Sequence, residues 1–162
     1  MRLPGAIVRP LIKSGKKPMN AMRAPEAMTV LDRPVQHTDF SSLDGHVHVL
    51  LVTYKRDGTP IPSPVWFARD GETLYVWTEI NAFKAKRIRN DPRALLAPCD
   101  ARGVPEGDPI AARGRVLTDE ADRQRAAKVI RGQWGIGRRI FELVSRPLTD
   151  VHYLAFEPAP KD

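Results

Sequence analysis

From Phe40 onward, apolar and polar residues alternate in short runs that Gly, Pro and Asp interrupt. Alternation at period two, rich in β-branched and aromatic residues, predicts strands. Residues 46–54 (HVHVLLVTY), 60–68 and 73–78 (TLYVWT) form three such runs, separated by Asp57-Gly58 and Asp70-Gly71. Asp-Gly is a tight-turn signal, so the three make an antiparallel meander. The period then changes. Residues 82–90 (AFKAKRIRN) predict a helix with Asn81 as cap and Pro92 closing it. Further strands are expected over 93–98, 110–117 and 151–156, with a Gly/Pro/acid loop over 100–109. Gly114 inside a strand reads as a bulge or a point of close approach.

Two more helical stretches complete the pattern. Thr118, Asp119 and Glu120 open a helix that carries Ala121, Ala126, Ala127, Val129 and Ile130. A second piece over 136–144 follows Gly135, and a short capped helix is expected over 38–43. No repeats are visible. The expectation is a mainly β (α+β) domain of six antiparallel strands with two to three flanking helices, closed into a small barrel. At 162 residues the chain holds about one domain. That excludes a TIM barrel or a two-domain dehydrogenase.

Charge divides the chain. Residues 1–33 hold seven of the 26 basic residues and two of the 19 acidic ones, a net of +5 that leaves +2 for the remainder. The basic signal therefore belongs to an N-terminal extension over 1–33, and the domain is expected over 34–162. Residues 1–27 are expected to be disordered or untranslated, because Met19, Met22 and Met28 offer later starts. A domain charge of +2, with aromatics not interleaved among the basic residues, argues against nucleic acid. No apolar run reaches the ~18 residues of a membrane helix. The opening apolar pieces, broken by Pro4, Gly5, Arg9 and Pro10, make no secretory signal. A single Cys99 excludes an internal disulfide and fits a reducing compartment, so a cytoplasmic protein is expected.

Two features point to chemistry. Pro60, Pro62 and Pro64 alternate at period two inside an extended run, so all three missing N–H donors fall on one side of a strand. That is either an edge that resists aggregation or a strand whose bare side faces a ligand and presents Ser63, Val65 and Trp66. The second feature is Lys84, Lys86, Arg87 and Arg89, crowded onto a helix that starts just after a strand. Outward-pointing N–H groups and the helix dipole favour phosphate there, although a solvated basic face has the same composition. Weaker signals favour structure. His46-x-His48 lacks an acid or Cys cluster for zinc, Cys99 reads as packing, and Trp77 and Trp134 read as core. Gly135-x-Gly137 lacks the rest of a dinucleotide fingerprint, and there is no Gly-x-Ser-x-Gly elbow.

Taken in order, LVTYKRDGTPIPSPVWF (51–67), LYVWT (74–78), KAKRIRNDPR (84–93) and APCDARG (97–103) resemble the pyridoxamine 5'-phosphate oxidase-like split-barrel family of flavin and deazaflavin proteins. The resemblance covers roughly residues 38–157 and is nearest the branch of probable coenzyme F420-dependent oxidoreductases. It implies a six-stranded split β-barrel and a homodimer with cofactor, FMN or coenzyme F420, at the subunit interface. It further implies an oxidoreductase that transfers hydride to a small conjugated organic substrate. The alternative is a non-catalytic FMN- or haem-binding member. The cofactor-binding residues it implies are Ser63, Pro64, Val65 and Trp66 along the ring and ribityl chain, Thr78 near the ribityl or phosphate, Lys84 on the phosphate, and Lys86 and Arg87 as helpers. Arg113 or Arg115 could meet a polyglutamate tail. No catalytic acid, base or metal ligand is implied. Departures are plain: Ser63-Pro-Val-Trp66 replaces the oxidase's Arg-Met-Val-Leu, and Ala82-Phe83 its Ser-Arg, so oxidation of vitamin B6 is not expected.

Overall fold

Each alternating run becomes a strand in the computed structural model, which describes residues 23–79, 82–145 and 151–161, with side chains to residue 134 of the long second helix. The strands are β1 (His48–Tyr54), β2 (Pro60–Asp70), β3 (Thr73–Glu79), β4 (Arg93–Cys99), β5 (Ile110–Val116) and β6 (Val151–Pro158). They close into one antiparallel barrel in the order β1-β2-β3-β6-β5-β4. The expected meander is β1 to β3, and β6, last in the chain, lies between β3 and β5. Helix α1 (Phe83–Asn90) connects β3 to β4, and α2 (Glu120–Ser145) connects β5 to β6.

Period two sorts the side chains. Val49, Leu51, Phe67, Leu74, Val76, Leu96, Ile110, Leu154 and Phe156 point inward and form the interior cluster, with Val65 packed against it. A 3-10 turn, Ser41–Leu43, adds Phe40 and Leu43 to that interior, and α1 adds Ala85 and Ile88. The expected capped helix over 38–43 is this shorter turn, with the Asp39 carboxylate accepting from the Ser41 backbone N–H at 3.0 Å. The opposite parity faces outward and is covered in two places. Leu50, Val52, Ala97 and Cys99 meet Ala27 and Val30 of the 3-10 helix Pro25–Asp32. Ala68, Tyr75 and Ala155 meet Ala126 and Ile130 of α2.

Two expectations change. Residues 25–32, read from the sequence as extension, lie packed on the barrel, and Ala27 and Val30 are completely buried. The signal is there in hindsight: Ala24, Ala27 and Val30 recur every three residues, the period that puts them on one line of a 3-10 helix. Residues 1–22, the rest of that expectation, lie outside the described residues, as does Asn81, the expected cap of α1. The helix expected to break at Gly135 runs unbroken from Glu120 to Ser145. Each of its glycines, Gly132, Gly135 and Gly137, costs a helix only about 1 kcal/mol, and no proline interrupts it. Its start is as read, the Asp119 carboxylate accepting from the Asp122 N–H at 3.2 Å.

Gly114 is a point of close approach. It pairs with Phe156, and a Cβ built on it would lie 2.5 Å from the Phe156 ring. Since that ring is fully buried, Gly114→Ala must displace it and is expected to cost about 1–3 kcal/mol in denaturant unfolding. Val30→Asp would bury an unpaired carboxylate against β1 and β4 and is expected to lower stability by about 2–4 kcal/mol. Unchanged midpoints for Val30→Asp would place residues 23–33 outside the folded unit.

Candidate functional site

The proline strand is shared diagonally between its neighbours. Residues 60–66 pair with β1, from Pro60 opposite Tyr54 to Trp66 opposite His48. Residues 67–70 pair with β3, from Phe67 opposite Val76 to Asp70 opposite Thr73. Each half of β2 therefore has one side without a strand. In an extended chain the N–H and C=O of one residue share a side, and successive residues alternate. Pro60, Pro62 and Pro64 cannot donate, and the bare side of the first half is theirs. The Pro62 carbonyl instead accepts from Arg23 Nη1 at 2.6 Å. On the second half, the bare side faces where β1 has ended. There α2 supplies the partners: the Trp134 indole N–H donates to the Phe67 carbonyl at 2.9 Å, and the Arg69 N–H donates to Gln133 Oε1 at 3.0 Å.

This parity divides the residues singled out on β2. Ser63 and Val65 share the inward parity of Phe67, and continuing the β2–β3 register would bring Val65 opposite Thr78. Thr78 is buried and shares the inward parity of Leu74 and Val76. Pro64 and Trp66 project outward. The Pro64 ring lies on the Gly103 side, beside Leu50 and Ala27. The Trp66 ring stacks on Trp134 with centroids 5.0 Å apart and tilts against Trp77 at 5.9 Å. Its indole N–H donates to His48 Nε2 at 2.6 Å. An indole nitrogen only donates, so His48 accepts there and is neutral; burial holds its pKa below the usual histidine value, against an opposing pull from Asp100.

Helix α1 follows β3 directly and sorts its cations by face. Ala85 and Ile88 are buried in the barrel interior, Lys86 and Arg89 are exposed, and Lys84 and Arg87, three residues apart, are half-buried on a shared face. Lys86 is thus not brought together with the other two. Burial, and after it the neighbouring Arg87, holds Lys84 below the usual lysine range, against a pull from Glu79. Burial also lowers the Arg87 guanidinium. Among the described residues no carboxylate reaches ion-pair distance of either. Arg87 Nε donates to Thr53 Oγ1 at 2.6 Å. Two desolvated cations on a helix packed against β1 and β5, with no carboxylate at ion-pair distance among the described residues, fit a phosphate group.

Sequence reasoning missed Thr53, His48 as partner of Trp66, and Arg23. The first two were within reach. Counting outward from the Asp57-Gly58 turn sets His48 opposite Trp66, and Thr53 is the one aliphatic hydroxyl in β1. Cys99 packs under the 3-10 helix, and burial pushes its thiol up to about 12, which leaves it unreactive. Arg113 and Arg115 are exposed on the outer side of β5, Arg115 beside Asp122 at 3.7 Å. Among the described residues no group of His, Cys, Asp and Glu could hold a metal ion, and no helix is long and apolar enough to cross a membrane.

Comparison with known proteins agrees with this architecture. Among solved structures, HutZ, the haem storage protein of Vibrio cholerae, is similar over 76% of this chain and 93% of its own, at 14% identity and TM-score 0.55. A Clostridium acetobutylicum protein of the pyridoxinephosphate oxidase family, related to general stress protein 26 of B. subtilis, is similar over 82% and 84%, at 14% identity and TM-score 0.50. An F420 reductase is similar over 76% and 95%, at 21% identity and TM-score 0.47. At such identities the likeness of the first two shows the fold. No curated protein matches the sequence. The family model described as pyridoxamine 5'-phosphate oxidase matches residues 39–159, the whole barrel, and the chain belongs to that family.

Proposed function

We propose that the chain binds a flavin or deazaflavin nucleotide, FMN or coenzyme F420, where β2 leaves β3, and that it is an oxidoreductase acting on a small conjugated organic substrate. One observation carries this reading: Lys84 and Arg87 are half-buried cations on one face of α1 without a carboxylate at ion-pair distance among the described residues. Burying charge is unfavourable unless something complements it, and a phosphate would do so. Membership of the family supports a flavin-like owner for that phosphate. In this reading Ser63 and Val65 offer side chains to the cofactor, Pro64 and Trp66 offer backbone on the bare side of β2, and Thr78 offers its hydroxyl. Lys86, exposed, contributes long-range charge alone. The cofactor would supply hydride transfer, and the protein would orient it against substrate. The reading extends to a cytoplasmic homodimer with cofactor between subunits.

Absorbance of the purified protein, followed by titration with FMN and with F420, tests it. Saturable binding of one of them is expected, weakened by about 1–3 kcal/mol in Lys84→Ala, the range for losing a charged hydrogen bond. A Soret band without flavin binding would move the protein to the haem-binding alternative. Unchanged affinity in Lys84→Ala would remove that residue from the site.

The pH dependence follows from the lowered Lys84 pKa. A bound phosphate stabilises the protonated amine, so affinity is full below the pKa of the free protein and falls as pH rises through it. The alkaline loss is expected to begin below the range of an ordinary lysine. It should be absent in Lys84→Ala, which a titration series from neutral to alkaline pH would read.

A further inference from the structure

We infer that Thr53 is a positioning residue that presents the terminal edge of Arg87 to the phosphate, an inference that rests on the cofactor reading above. Thr53 lies near the end of β1 and is 1% exposed, one of two buried polar residues among those described. Its Oγ1 accepts from Arg87 Nε at 2.6 Å, a short hydrogen bond from a charged donor. A guanidinium has five N–H donors in a rigid plane, and fixing Nε to the barrel fixes the direction of the two terminal nitrogens. The Arg87 side chain makes no other hydrogen bond or ion pair among the described residues, so that edge is left for a ligand.

The geometry is economical in its parts. Thr53 sits on the barrel wall, opposite Ile61 on the bare half of β2, while Arg87 sits on α1. Their hydrogen bond therefore ties the helix face bearing both cations to the strand bordering β2. A planar fork held in this way matches the oxygens of a terminal phosphate in two contacts, whereas a freely rotating one would lose side-chain entropy on binding. Lysine at position 87 could not do this, since its ammonium has no second donor group to anchor.

The test uses the full chain, with inorganic phosphate, FMN and F420 as probes. In the wild type, the Arg87 Nε–H is expected to give a slowly exchanging resonance, and phosphate should bind. Thr53→Val, close in shape, should remove that protection and weaken phosphate about tenfold, the loss of one charged hydrogen bond. Thr53→Ser should keep both properties. On an Arg87→Ala background, Thr53→Val should cause no further loss of affinity, the outcome of a residue that acts only through the arginine. If Thr53→Val does not fold, as judged by thermal melting, Thr53→Ala takes its place in the cycle. Additive losses in the cycle, or wild-type phosphate affinity in Thr53→Val, would overturn the inference and leave the cofactor reading intact. Phosphate binding that depends on Thr53, without binding of FMN or F420, would sustain the inference and overturn the cofactor reading. A wild type that binds none of the three would overturn both.

Discussion

Three absent amide hydrogens govern this structure. Pro60, Pro62 and Pro64 cannot donate to a second neighbour, so β2 has a strand on one side only until Trp66 is passed. A strand that changes neighbours halfway must be long, and β2 at 11 residues is longer than any other strand. The barrel closes nonetheless, because β2 picks up β3 from Phe67 onward. The exchange leaves two strandless half-edges, each met by a different part of the chain: Arg23 on the first, Gln133 and Trp134 of α2 on the second. The N-terminal segment meets the half that the prolines leave bare, and α2 meets the half where β1 has ended.

The barrel wall gives the cations their setting. Helix α1 begins where β3 ends, packs against β1 and β5, and buries Ala85 and Ile88 into the barrel. That anchoring holds Lys84 and Arg87 partly out of water. In a solvated helix, two cations one turn apart repel by only a few tenths of a kcal/mol. Partial burial raises that repulsion because the effective dielectric falls. A desolvated pair of cations favours an anion at this end of the barrel, and Thr53 contributes a neutral acceptor without reducing the positive charge.

Much of this was legible in the sequence, for identifiable reasons. Period two with Asp-Gly turns set out the meander, and the proline spacing foretold a strand with one bare side. Gly114 within a strand foretold close approach. What escaped detection lay in weaker patterns. The segment over 25–32 holds four apolar residues, Ala27, Met28, Val30 and Leu31, but it is a run of only eight residues, too short for its periodicity to stand out from an extension. Gly135 invited a break that a long helix, free of proline, absorbs. Of the site residues, Lys84 and Arg87 were visible as charge, but the solvent orientation of Lys86 needed the helix phase that burial of Ala85 and Ile88 sets. The outward turn of Trp66 needed only the parity of β2. Its meeting with Trp134 needed the tertiary fold, because α2 and β2 are far apart in sequence.

The position of β6 has a kinetic side. It is made last yet seals the barrel between β3 and β5, joining residues as distant as Leu74 and Phe156. Until it docks, β3 and β5 each present an open edge, and no proline guards either of them. Contacts so remote in sequence form slowly, because the loop entropy is lost before the pairing compensates. Without β6 the other five strands make an open sheet in the order β3-β2-β1-β4-β5. Exchange of a closing strand between copies is the misassembly that such open edges favour at high concentration.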